Sequence, residues 1–106
     1  MASKQPIHSG GAQTKEFEIN LVAAGLHNPG DPEVAEAVVS TDANATLRVE
    51  ISASDRDDWQ LDVRRVDGSL DIIRSFHDGV SVHDDVIPQW IEHVVDVVGE
   101  RLERSR

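Results

Sequence analysis

The residues best suited to bind a metal ion are concentrated in one stretch, HDGVSVHDD. This stretch places His77, His83, Asp84 and Asp85 within nine residues. Imidazole nitrogens and carboxylate oxygens bind zinc or harder divalent ions. The spacing matches no closed metal motif, and the two aspartates also suit the start of a helix. We therefore expect no metal or other cofactor, and these four residues are the candidates if a metal does bind.

A second acidic stretch, SDRDD, resembles the start of a calcium-binding loop through Asp55, Asp57 and Asp58. An EF-hand loop also needs a glycine at its sixth position and a bidentate glutamate at its twelfth. Neither is present, because the residues that follow have the pattern of a β-strand. The stretch is therefore predicted to be the solvated tip of a hairpin.

A possible acid–base cluster, Glu92, His93 and Asp96, falls on the polar face of a predicted helix. A catalytic group works in a concave, partly desolvated site, which such a face does not provide. The sequence also has no recognisable glycine-rich phosphate loop, nucleophile elbow or serine–histidine–acid set. We therefore expect the protein not to be an enzyme.

Residues 45–76 organise the predicted fold as a three-stranded antiparallel meander. Apolar residues occupy every odd position of residues 45–53 and recur at Trp59, Leu61 and Val63. Such alternation is typical of strands with one buried and one solvated face. Asp67-Gly68 is a typical two-residue hairpin turn between the second and third strands.

The charges of the meander indicate the register of its first hairpin. A three-residue loop (residues 54–56) places Arg48 opposite Asp62 and Glu50 opposite Gln60. A five-residue loop instead places Arg48 opposite Arg64, a like-charge pair. Opposite charges across strands stabilise a sheet and like charges destabilise it, each by roughly 0.2–1 kcal/mol. The shorter loop is therefore predicted.

The second hairpin is predicted to pair Val63 with Ile72 and Trp59 with Phe76. This register places Arg74 on the sheet face that the helices cover. A buried cation needs a carboxylate or carbonyl partner, because an unpaired one is very costly. Arg74 then either binds an anion or a protein partner, or lies near an edge and reaches water or a helix acid.

The rest of the chain is predicted to add one strand and two helices. Residues 16–24 alternate like a strand, and Asp31-Pro32-Glu33 has the features of a helix start. Val34, Ala35, Val38 and Val39 would form the buried stripe of that helix. The second helix follows Asp84 and Asp85, and its apolar stripe comprises Ile87, Ile91, Val94, Val95, Val98 and Leu102.

The predicted fold is therefore an α/β two-layer sandwich with the element order β-α-β-β-β-α. Its sheet is four-stranded and mixed, and both helices cover one face. At 106 residues the chain is long enough for one domain. Residues 1–14 lack periodicity and are predicted to be a disordered tail, with residues 15–106 forming the domain.

Composition limits the environment and the partners. The chain has no cysteine and no apolar run long enough to span a membrane, so a soluble cytoplasmic protein is expected. A net charge of −10 opposes direct binding to nucleic acid or to anionic lipid. Aspartate exceeds glutamate and arginine exceeds lysine, a bias that fits either a halophilic source or a G+C-rich genome.

The function that these features favour is a non-catalytic module for protein–protein interaction or self-association, with a homodimer expected. Trp90 and Val97 widen the apolar band of the last helix, so they and Arg74 are the interface candidates. One alternative is a small-ligand or metal-binding domain, or an enzyme, that uses residues 77–85. A second alternative is an acidic mimic of nucleic acid that blocks a partner protein.

Overall fold

A computed structural model describes residues 13–41, 46–54 and 58–104. Most of the predicted tail (residues 1–14), as well as Asp55 and Asp57 of the calcium-like stretch, lies outside these ranges. The described chain forms six strands, a one-turn 3-10 helix at Asp84–Val86 and one α-helix. The strands are β1 (Gln13–Asn20), β2 (Val34–Thr41), β3 (Leu47–Ser52), β4 (Trp59–Val66), β5 (Ser69–His77) and β6 (Val80–Val82), and the α-helix is α1 (Gln89–Arg104).

The six strands form a single antiparallel sheet in the order β1-β2-β3-β4-β5-β6. The prediction of a four-stranded mixed sheet covered by two helices is therefore wrong. The first predicted helix is strand β2, which pairs with β1 on one side and β3 on the other. Because every strand pairs with its neighbour in sequence, no crossover connection is needed.

Strand β2 forms because its sequence also fits a period of two. Ala35, Ala37 and Val39 are buried, and the intervening Glu36 is exposed. The segment is rich in valine, whose β-branched side chain packs well on a pleated sheet. A helix of about eight residues is marginal without extensive packing. Pairing on both sides therefore outweighs the apparent helical stripe.

Asp31, predicted to cap that helix, is the last residue of a tight turn instead. The Asp31 N–H donates to the Asn28 carbonyl at 3.0 Å, which closes a four-residue turn. Pro29 is its second residue, and Gly30 has a φ of 91° at its third, as a type II turn requires. The Asp31 carboxylate accepts the Asn28 N–H at 3.1 Å, so it holds the turn and caps no helix.

Strand β1 ends earlier than the alternation predicts, because Asn20 starts one helical turn. Its Oδ1 accepts the Ala23 N–H at 2.9 Å, as in a helix N-cap. Gly25, with a φ of 76°, and the bond from the Leu26 N–H to the Leu21 carbonyl at 2.9 Å end this turn in a Schellman motif.

The predicted meander is present in the structure. The first hairpin has the predicted register, with Arg48 opposite Asp62 and Glu50 opposite Gln60. The Asp67-Gly68 turn has positive φ at both residues (52° and 84°), as a type I′ turn requires. Residues 80–82 form strand β6.

A β-bulge in β5 changes the second hairpin. Val63 lies opposite Ile72 as predicted, but Asp62 lies opposite Arg74, so Ile73 is an extra residue on β5. Trp59 then faces His77, and the predicted pair of Trp59 with Phe76 is wrong. The extra residue also moves Arg74 away from α1, onto the opposite face of the sheet, which we call the outer face.

The core lies between α1 and the other face, which we call the inner face. The helix begins at Gln89, after the 3-10 helix, and not at Asp84 and Asp85 as predicted. Its closest approaches to the sheet are to β5 on one side and to β1 and β2 on the other, so the sheet curves around it. The buried helix residues are Trp90, Ile91, Val94, Val95, Val98, Gly99 and Leu102.

Within the described ranges, no helix has the length and apolar character needed to cross a membrane.

Candidate functional site

The edge of β5 that no other described strand covers is the feature of the fold best placed to bind another molecule. Strand β6 pairs only with Ser75, Phe76 and His77, whereas β5 begins at Ser69. The two-residue turn before Ser69 makes Ser69 a hydrogen-bonded partner of Val66, so the backbone groups of successive residues from Ser69 to Ile72 point alternately toward and away from β4. The N–H and C=O of Ile72 therefore point away from β4, beyond the end of β6.

A cleft of about 630 Å³, which we call the strand cleft, lies where β6 ends. Its walls combine β5, the end of β6 and the start of the following linker. The Ser75 hydroxyl is buried and has no hydrogen-bond partner within the described part of the chain. The lining residues are Ile73, Arg74, Ser75, Ser81, Val82, His83, Asp84 and Asp85.

Four of the residues singled out in the sequence come together at the strand cleft: Arg74, His83, Asp84 and Asp85. His77 does not join them, because its ring stacks on Trp59 with centroids 4.4 Å apart and planes 12° apart. Among the described residues, no three histidine, aspartate or glutamate side chains lie close enough together to hold a metal ion. Arg74, His83, Asp84 and Asp85 therefore line one cleft, but the described residues do not form a metal site there.

Arg74 is held in place by Asp62. Its Nη2 lies 3.1 Å from Asp62 Oδ2, and Arg48 Nε lies 2.8 Å from Asp62 Oδ1. The Arg48 guanidinium also lies 5.8 Å from the ring centroid of Phe76, within cation–π range. A carboxylate shared by two arginines fixes the Arg74 side chain at the rim of the strand cleft.

A second cleft, of about 300 Å³, lies between β5 and α1, and we call it the helix cleft. It shares Asp84 with the strand cleft, so the two adjoin along the β5 edge. Its apolar lining residues are Leu70, Ile72, Ile87 and Val95. Its charged lining residues are all acidic: Asp71, Asp84, Glu92 and Asp96.

The interface candidates on α1 are placed differently from Arg74. Trp90 is only 5% exposed and belongs to the buried core, so its indole offers almost no surface to a partner. Val97 is half-buried and packs against the core. The apolar band of α1 is therefore mostly used within the chain.

Sequence reasoning overlooked the exposed apolar residues beside the clefts, Ile73 and Val86. Ile73 is the bulge residue, and it is 43% exposed. Val86 lies in the linker between Asp85, which lines the strand cleft, and Ile87, which lines the helix cleft. The length of β6 could have indicated this region. A strand of three residues that ends just before two aspartates is too short to pair with all nine residues of β5.

Comparison with protein-family models, with curated proteins and with solved structures finds no match to this chain.

Proposed function

We propose that this protein is a non-catalytic protein–protein interaction module that binds its partner along the β5 edge. The observation that carries the proposal is the mismatch between β5 and β6, because no described strand pairs with the first part of β5 on that side, beside two adjoining clefts. An unpaired strand edge offers backbone donors and acceptors to a further strand. The exposed Ile73 and Val86 add apolar contact area beside that edge.

The other edge of the sheet is less suited to the same role. The Leu21 N–H bonds to the Glu33 carbonyl, so in this ladder the backbone of Glu18 points outward along β1. Arg101 Nη1 donates a hydrogen bond of 2.9 Å to the Glu18 carbonyl, which an added strand would otherwise use. Two copies joined through β1 would also bring Glu16 and Glu18 close to their equivalents, and like charges oppose such pairing.

The test compares Ile73→Asp with a matched control, Val22→Asp. Val22 is 53% exposed and lies in the loop between β1 and β2, away from the clefts. We expect the purified chain either to double its native mass as concentration rises or to retain a distinct protein from an extract of its source cells. Ile73→Asp should abolish that association, and Val22→Asp should preserve it.

Circular dichroism would first confirm that both variants keep the wild-type fold. Association that is unaffected by Ile73→Asp would remove the β5 edge from the interface. Finding neither a dimer nor a retained partner would overturn the proposal as a whole.

A further inference from the structure

The helix cleft has the chemistry of a receptor for a cationic side chain with an aliphatic stem. Its apolar residues, Leu70, Ile72, Ile87 and Val95, come from three different elements. Val95 and Leu70 are buried, and Ile72 and Ile87 are half-buried, so the apolar surface forms the floor of the cleft. An aliphatic stem lying on this floor would lose contact with water, which stabilises the bound state.

The rim of the helix cleft is acidic along α1 and along the linker. Glu92 and Asp96 project from the same face of α1 as Val95, because residues three and four apart share a helix face. Asp84 comes from the linker, whereas the Asp71 side chain lies on the outer face beside Arg64, because successive residues of a strand point to opposite faces. No lysine or arginine is among the described residues that line the cleft. A cationic group above the apolar floor would therefore be within reach of carboxylates from two directions, α1 and the linker.

The size of the cleft and the overall charge agree with this occupant. A volume of about 300 Å³ is at the lower end of the range for small-molecule sites, which suits one long side chain. The net charge of −10 attracts cationic partners and repels anionic ones over longer distances. The same net charge disfavours a second copy of this chain as the occupant.

The adjoining β5 edge indicates how a partner protein would place its cationic side chain in the helix cleft. Ile72 lines the helix cleft, and its backbone N–H and C=O point to the side of β5 that β6 leaves uncovered. A strand placed there bonds to the backbone of β5, and every second side chain of that strand points to the same face. The occupant is therefore an extended segment in which lysine or arginine occurs among apolar residues.

We infer that the β5 edge and the helix cleft together bind an extended, cationic and partly apolar segment of a partner protein, with one lysine or arginine side chain in the cleft. This inference rests on the proposed function and specifies the chemistry of its partner.

The probe for this inference is a fluorescein-labelled, acetylated and amidated peptide of seven residues in which lysine and valine alternate. Its binding would be followed by fluorescence anisotropy at about 150 mM salt, where exposed charges are largely screened beyond about 8 Å. Two comparison peptides separate the contribution of charge from that of the apolar side chains. Lysine alternating with serine keeps the charge, and glutamate alternating with valine reverses it. We expect the lysine–valine peptide to bind at least about tenfold more tightly than either.

Two double variants with the same change in net charge test the location. Glu92→Gln combined with Asp96→Asn removes two rim carboxylates, and we expect binding to weaken by at least about tenfold. Glu18→Gln combined with Glu36→Gln removes two exposed carboxylates from β1 and β2, and we expect a change below about twofold. Both variants should unfold at urea concentrations close to that of the wild type.

Equal weakening by the two double variants would mean that net charge alone attracts the peptide, and it would overturn the inference. Equal binding of the lysine–serine peptide would overturn it too, since the apolar floor would then have no role. Failure of the inference is distinguishable from failure of the proposed function. If association still depends on Ile73 but the lysine–valine peptide does not bind, the interaction module stands and its partner has a different chemistry.

Discussion

Arg48 Nε donates a hydrogen bond of 2.8 Å to Asp62 Oδ1 across neighbouring strands of the sheet. The Asp62 side chain is only 4% exposed, although it lies on the outer face, which α1 does not cover. Arg74 contributes a second guanidinium to the same carboxylate. Two arginines therefore shield one aspartate from water and tie β3, β4 and β5 together.

We predict that Asp62→Asn lowers the free energy of unfolding by about 1–3 kcal/mol, since one of the two accepting oxygens becomes an NH2 group that cannot accept from a guanidinium. This loss of stability should be smaller than the roughly 3–5 kcal/mol that is lost when one partner of a fully buried ion pair is removed. The reason is that the Arg48 and Arg74 side chains are 42% and 67% exposed, so both cations can regain water. Urea denaturation would measure the change.

The control for Asp62 is Asp71→Asn, which alters an exposed aspartate paired across the strands with Arg64. Its effect should be below about 0.5 kcal/mol, as for most surface ion pairs. Equal effects of the two variants would contradict a special role for the shielded carboxylate.

The second prediction concerns Ile91, which is fully buried between α1 and the inner face. Ile91→Ala should lower the free energy of unfolding by about 2–5 kcal/mol, because it removes buried methyl groups and leaves a cavity. Val86→Ala removes an exposed side chain and should change it by less than about 0.5 kcal/mol. An unchanged denaturation midpoint for Ile91→Ala would show that this face of α1 is not packed on the sheet.

The third prediction concerns Gly99, the buried glycine within α1. A methyl group added at Gly99 would lie 3.3 Å from Leu70 Cγ, which is closer than ordinary van der Waals contact. Alanine favours a helix over glycine by about 1 kcal/mol. We expect Gly99→Ala to stabilise by about that amount in a Leu70→Ala background, and by clearly less in the wild type.

A double-mutant cycle of the Gly99 and Leu70 substitutions, with free energies of unfolding from urea denaturation, would measure this coupling. The same gain from Gly99→Ala in both backgrounds would mean that the close approach of α1 to β5 does not limit residue 99.

The fourth prediction concerns Arg101, whose Nη1 donates to the outward-facing Glu18 carbonyl on the edge strand β1. Arg101→Ala should lower stability by about 0.5–1.5 kcal/mol and speed amide hydrogen exchange in β1, because the contact that holds this edge is lost. Hydrogen exchange followed by mass spectrometry of β1 peptides would detect it.

Arg104→Ala is the matched control for Arg101. Arg104 lies 4.0 Å from Glu100 in an exposed pair, which contributes roughly 0.3–0.5 kcal/mol. If both arginine variants left exchange in β1 unchanged, Arg101 would not hold the edge.

Local chemistry determined the parts of the fold that the sequence predicted well. The alternation around Val49 and Leu61, the charge pair of Arg48 with Asp62 and the Asp67-Gly68 turn involve residues that meet through short hairpins. The apolar stripe of α1 is likewise complete within one segment. Such patterns can be interpreted without knowing what lies elsewhere in the chain.

The tertiary structure alone decided the identity of β2 and the position of Arg74. Residues 34–41 fit both a helical stripe and an alternating strand, and they form a strand because β1 and β3 offer hydrogen-bonding partners on both sides. Likewise, no local pattern marks Ile73 as a bulge, although the bulge brings Arg74 to Asp62. Both outcomes depend on strand pairs whose free energy the residues of one segment do not determine.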